Sequence, residues 1–274
     1  NRMLTACLNT QTITLDGANK FIDQPIDYIF VVPILGHAKG TAFFDDLTVM
    51  EFTPTVGAVT LMFDDGEITT YTEAKPVLDE YGYVGSASII TEMVQEPDFM
   101  DWEQLNELED SGWEIVSHSI THPDLTTVSP AQLSREITLS KMILKRHGLT
   151  VDNFAIPFGA YNANILARAA LHYSSARAYE LGDNPVGSYP FEIKIRSVVN
   201  STTVDDVSQW LAEAQERDSW QVIVFHTIAD SSDDRYYVTP ENFQEMIAAV
   251  AASGLPVITY RQGIKSFCIR VSQN

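Results

Sequence analysis

The sequence predicts an α/β fold of parallel strands alternating with helices, with the strand count of a closed barrel, preceded by a small β-rich segment. Three observations carry this. From Val59 onward, short apolar or β-branched runs alternate with helix-forming stretches, the pattern of parallel strands joined by crossover helices. Eight strand candidates occur, which is the count of a closed barrel. Polar or glycine-bearing clusters follow four of these runs directly, where parallel barrels keep their working residues.

The strand candidates, in order, are "VTLMF", "YVGSASII", "WEIVSH", "NFAIPF", "SSARAY", "EIKIRSVV", "WQVIVFHTI" and "LPVITY". Two helices have legible ends. "SPAQLSREITLSKMILKRHG" offers Ser129 as N-cap, Pro130 at the first helical position, Gln132 to complete a capping box and Gly148 past the end. "TPENFQEMIAAVAASG" repeats the device with Thr239, Pro240 and Gly254. Residues 1–55 are β-rich instead: "CLNTQTITL", "PIDYIFVVPIL" and "TAFFDDLTVMEF" are separated by turn material and show no helical period. The predicted division is therefore 1–55 and 56–274, with Thr53 to Gly57 as linker.

Composition narrows the function. The chain has 274 residues, 45% of them hydrophobic, enough for one large core or a domain with a smaller companion. It carries 37 Asp+Glu against 17 Lys+Arg, a net charge of −20. A field of that sign disfavours nucleic acid, anionic membranes and acidic polymers, and leaves neutral or cationic substrates open. No apolar run is long enough to span a bilayer. The first residues, "NRMLTACLNT", lack a secretory pattern and an initiating Met, as expected of a processed chain or one cut from a longer protein. With two cysteines, Cys7 and Cys268, thiolate metal clusters are excluded. The pair either forms a disulfide tying the ends together or remains two buried thiols.

The strand ends carry the chemistry. His118 and His122 in "HSITH" are spaced to reach one ion, from a helical face or a tight turn. Alone, that spacing is a weak signal. With a carboxylate from another strand end it makes a three-ligand site with open positions for water and a substrate oxygen. "FDDG" supplies the carboxylate and a division of labour: one Asp binds the ion and its neighbour takes a proton from water, the cation relieving their repulsion. Asp-Gly is also an ordinary turn pair. A second pair, Asp45-Asp46, has no histidines nearby and reads as a turn or a structural calcium site. His226, ending "VIVFH", is either a hydrogen-bonded core histidine or, at the same mouth, a general acid. In "IPFGAYN" the Pro157–Gly159 turn either aims a backbone N–H at an oxyanion or is an ordinary strand-to-helix turn. His37, His147 and His172 receive no role.

The order "FDDG", "GWEIVSHSITHPDL", "FAIPFGAYN", "VIVFHTI" resembles the polysaccharide deacetylase family, carbohydrate esterase family 4, the NodB-homology domain, over roughly Val59 to Ile264. The resemblance implies a distorted (β/α) barrel of seven or eight parallel strands, and a secreted or cell-surface hydrolase that removes acetyl groups from N- or O-acetylated glycans with a divalent metal, usually zinc. It implies Asp64 as catalytic base and Asp65, His118 and His122 as metal ligands. Phe158 would present the oxyanion N–H, and His226 would be the general acid, with Val224 on an apolar wall. Two positions depart from the family pattern. Ala155 stands where an Arg usually orients the base, and Arg196 in "KIRSVV" is the candidate to supply that guanidinium. In "DDVSQW", Gln209 stands where an Asp usually supports the catalytic His. "GTAFFDDLTVMEF" resembles the closing strand of a β-sandwich carbohydrate-binding module, so this segment is either a remnant or truncated part of such a module, which implies further such sequence in a longer chain, or a small sheet packed on the barrel. The rival readings are hydrolysis of another small amide, ferrous oxygenase chemistry, which would not explain the second Asp, and a non-catalytic carbohydrate-binding protein with a vestigial site.

Overall fold

The computed structural model describes residues 56–268. The expectations for residues 1–55, including the β-rich segment, the Asp45-Asp46 pair, Cys7 and the likeness to a carbohydrate-binding module, lie outside the described residues.

Seven parallel strands close into a barrel: β1 (Ala58–Phe63), β2 (Ser86–Ile89), β3 (Glu114–Ser117), β4 (Asn153–Ala155), β5 (Ser175–Leu181), β6 (Ile193–Ser197) and β7 (Trp220–Phe225). Closure runs through six paired positions, from Ala58 beside Trp220 to Phe63 beside Phe225. Every residue of β1 and β7 is buried. These strands are covered on both faces, which is why they read as nearly continuous apolar runs. Alternation along them still sorts side chains into two layers. Val59, Leu61 and Phe63 pack outward with the helices, whereas Ala58 and Met62 join Val116, Ala155, Ile195, Val222 and Val224 inside.

The eighth predicted strand, "LPVITY", does not form; it is reduced to a single bridge between Val257 and Val59. Pro256 has no N–H to donate, and its carbonyl accepts from the Val59 N–H at 3.0 Å. Thr259 then caps a helix, through a capping box with Gln262, and ends the extended stretch. That helix, Tyr260–Phe267, closes the barrel floor: Trp220 sits 5.3 Å from the Tyr260 ring and 6.2 Å from Phe267. Gly263 permits the approach, since a Cβ there would lie 2.2 Å from the indole. Cys268 is buried just beyond it.

The two helices with legible ends form as Pro130–Arg146 and Pro240–Ser253. Ser129 and Thr239 cap them, each accepting from the backbone N–H three residues on. Gly254 ends the second with φ 69°. The Gln132 side chain does not return the bond to Ser129, so that box is half formed. Beyond β7, a two-stranded sheet of β8 (Thr227–Ile228) and β9 (Tyr237–Val238) frames the loop at the barrel mouth. Among the described residues no helix is long and apolar enough to cross a membrane.

Candidate metal centre and active site

The inward face of the barrel delivers the polar residues. Asp64 extends β1 by one step, its N–H bonded to the Phe225 carbonyl at 2.9 Å. It follows Ala58 and Met62 on the inner row. Regular alternation would turn Asp65 to the opposite face. Instead Asp65 takes a left-handed backbone, φ 71°, followed by Gly66 at φ 85°, and both carboxylates line one pocket. Asp tolerates this region better than most residues. His118 follows β3 on the same row as Val116, and His226 follows β7 on the row of Val222 and Val224.

"HSITH" is a turn, with Ser119 at φ 68° and His122 at φ 55°. Glu136, buried on the helix Pro130–Arg146, holds it. One carboxylate oxygen accepts from the N–H groups of Ile120 (2.8 Å) and Thr121 (3.0 Å), and the other from the Thr121 hydroxyl (2.9 Å). Sequence reasoning missed Glu136. Its signal was a carboxylate at a core-facing position between Leu133, Ile137 and Ser140, all buried.

Asp65, His118 and His122 form a triangle. Asp65 Oδ1 lies 3.6 Å from His118 Nε2 and 3.7 Å from His122 Nε2, and the two Nε2 atoms are 3.1 Å apart. Ligands held at zinc's usual distances in a tetrahedron would be separated by about 3.4 Å. The His118 Nδ1–H donates to the Ala155 carbonyl at 2.8 Å, which leaves the Nε2 lone pair facing the centre. Asp65 Oδ1 is buried with no hydrogen-bond partner among the described residues. Burial, then the neighbouring Asp64 charge, pushes Asp65 up to about 7 in the absence of a cation. Burial also depresses His118, to about 3, and His122. Neutral imidazoles and an unsatisfied carboxylate are the states a divalent cation binds. The residues fit a metal.

The guanidinium beside Asp64 is not that of Arg196. On β6, Ile193 and Ile195 face inward, so Arg196 faces out, 2.7 Å from Glu213 and over the Trp210 ring. Arg177 on β5 takes the place instead, its Nη2 donating to Asp64 Oδ2 at 2.5 Å. Its Cα partner across the β4–β5 ladder is Ala155, the position where the family pattern led us to expect Arg. The cation thus enters from the adjacent strand at the same level. Its sequence signal was the lone charge inside the "SSARAY" strand. Burial works against the Asp64 charge, but Arg177, with His118 and His226 behind it, holds the carboxyl below the usual carboxylate range. Asp64 Oδ1 has no hydrogen-bond partner among the described residues.

His226 Nε2 lies 3.8 Å from Asp64 Oδ2. Phe158, φ 55°, sits in the short turn Pro157–Gly159, its exposed ring 4.5 Å from His122. The N–H groups of Gly159 and Ala160 bond back to Ile156 and Pro157, which leaves the Phe158 N–H as the turn's remaining donor. These groups surround a pocket of about 310 Å³, with Ile156, Ile195 and Val224 as its apolar wall. Of the residues without an assigned role, His147 stacks on Trp102 and His172 pairs with Thr138, both in structural contacts.

Residues 53–174 match the family model described as Polysaccharide deacetylase. YxkH of Bacillus subtilis (strain 168), named for the same family, is 31% identical over 118 residues, 42% of each chain. The chain spans less than half the length of the curated relatives it matches. Two solved structures share the fold. The Xyl-CE4 domain of a multidomain xylanase from the hindgut metagenome of Trinervitermes trinervoides has TM-score 0.58 and 20% identity, covering 80% of this chain and 96% of that one. The Streptococcus pyogenes deacetylase PplD, in complex with acetate, has TM-score 0.52 and 24% identity, covering 55% of this chain and 69% of that one.

Proposed function

We propose, on the match of residues 53–174 to the polysaccharide deacetylase family model, that the chain belongs to that family and that the barrel hydrolyses acetyl groups on a glycan with the help of a divalent cation. The observation that carries this is the Asp65–His118–His122 triangle beside a buried Asp64–Arg177 pair. A cation on that triangle, zinc being the best match to one carboxylate and two imidazoles, would polarise the acetyl carbonyl and acidify a water. Asp64 Oδ2 is engaged by Arg177, so Oδ1 is the oxygen free to take the water's proton. The Phe158 N–H is placed to donate to the developing oxyanion. Ile156, Ile195 and Val224 suit the acetyl methyl, and His226 Nε2 is the nearby group able to pass a proton to the departing sugar.

Within this reading, catalysis resides in residues 56–274. The net charge of −20 and the glycan substrate suit a secreted or cell-surface protein. The test is acetate release from a panel of acetylated glycans, read beside metal content. The expected result is one bound zinc per chain and release from at least one glycan. A protein that binds no metal, or that binds it and releases no acetate from any of them, overturns the proposal.

A further inference from the structure

The proton donor of this site is built differently from its base. Asp64 has a guanidinium at 2.5 Å. His226 has no equivalent support: its Nδ1 is buried and makes no hydrogen bond among the described residues. Among the described residues, three nearby carboxylates are engaged elsewhere, the first being Glu67, which also lines the pocket and is held by the Thr227 side chain. In the helix Val204–Arg217, Asp206 caps the N-terminus through Thr203. Gln209, in the same helix, is exposed and reaches Glu213. Asp234 lines the mouth but accepts from the N–H groups of Arg235 and Tyr236 in its own turn. What packs on the imidazole is the Tyr236 ring, at 4.9 Å, and that ring carries the Arg235 guanidinium at 4.8 Å from its centroid. Burial, ahead of the opposing pull of Asp64, holds His226 below the ordinary histidine range.

A general acid whose protonated form has no partner at Nδ1 is sparsely populated, and that scarcity selects by leaving group. In either reaction the water oxygen bonds to the acetyl carbon, and its proton goes to Asp64. With an ester, the carbon–oxygen bond to the sugar breaks, and the alkoxide can depart with partial protonation. With an amide, the carbon–nitrogen bond breaks only once the nitrogen has gained a proton, because an amide anion is far too basic to leave. The amide therefore needs the general acid most, and that assistance amounts to roughly 10²–10⁴-fold in rate.

We infer that the substrate class of this site is the O-acetyl ester of a neutral polysaccharide rather than the N-acetyl amide of an amino sugar, because His226 lacks the hydrogen-bonded carboxylate that would sustain it as a proton donor. The inference rests on the deacetylase reading and goes beyond it.

The test uses the zinc-loaded full chain, with acetate release measured on an O-acetylated xylo-oligosaccharide and on an N-acetylchito-oligosaccharide of the same length. We expect kcat/KM for the ester to exceed that for the amide by about 100-fold or more. Across acetate esters of increasingly basic alcohols the rate should fall steeply, since departure is little assisted. Amide turnover at or above the ester rate, or ester rates independent of leaving-group basicity, overturns the inference while leaving the deacetylase reading intact. Zinc-loaded protein that releases acetate from neither class overturns both.

Discussion

The two ends of the barrel both bury a carboxylate, and they treat it in opposite ways. At the floor, Glu114 is fully bonded: one oxygen accepts from Asn153 Nδ2 at 2.6 Å and the other from the Arg261 N–H at 2.5 Å. Asn153 accepts in turn from the Ser175 hydroxyl at 2.7 Å. At the mouth, Asp64 Oδ1, Asp65 Oδ1 and His226 Nδ1 are buried with no hydrogen-bond partner among the described residues, and two carboxylates are adjacent in sequence. A satisfied buried network specifies structure, whereas an unsatisfied one implies a ligand or a reaction. That contrast adds to the motif in pointing to the mouth as the candidate functional end.

Substitutions can break or sharpen the contrast, and the largest effects belong to the mouth. Asp64→Ala should cut acetate release by about 10³-fold or more while zinc remains bound, whereas His118→Ala should lose the zinc itself. Metal analysis of the two purified variants separates the roles.

Arg177→Ala strands a buried carboxylate and should cost about 3–5 kcal/mol of stability together with most of the activity. Because Ala155 is its cross-strand partner, adding Ala155→Arg should restore part of both. Arg196→Ala, at an outward ion pair, should change stability by under about 1 kcal/mol and leave turnover intact. Denaturant melts and initial rates on the three proteins check this. The acid limb of stability reports the same pair. Asp64 is held below its unfolded value, so the contribution is present above about pH 4 and lost as pH falls. Urea midpoints against pH should flatten there in Asp64→Asn.

Glu136→Gln should loosen the "HSITH" turn, lowering zinc affinity by about 10–100-fold, read by chelator competition. The smallest functional effect belongs to the floor. Glu114→Gln removes one acceptor from a satisfied network and should cost about 1–3 kcal/mol with kcat unchanged, read as a lower melting temperature at constant specific activity.

The contrast also explains which residues could be read in advance. Asp64, Asp65, His118 and His226 sit directly after strands, so strand period and polarity locate them together. The partner of Asp64 could not be found that way. Arg196 and Arg177 are both arginines in β-rich runs, and only the inward or outward parity of each strand distinguishes them. Parity depends on where a strand begins, which local composition leaves uncertain by a residue or two. Glu136 was hidden for a related reason, since a helix position reveals its face but not the loop that face supports. The eighth strand failed because Pro256 and the Thr259 cap, both visible, outweighed the β-branched run between them.

What residue order determined, then, was everything with a short range: the alternation of strands and helices, the helix caps, and the polar residues placed after apolar runs. Tertiary structure decided what depends on contacts far apart in the chain. It brought Arg177 to Asp64 across 113 residues, turned Asp65 toward the histidines, and left His226 Nδ1 without a hydrogen-bonded carboxylate among the described residues. The physical reason is that propensities and patterns act over a few residues, whereas the field and hydrogen bonds around a buried charge are set by whichever strands the closed barrel makes neighbours.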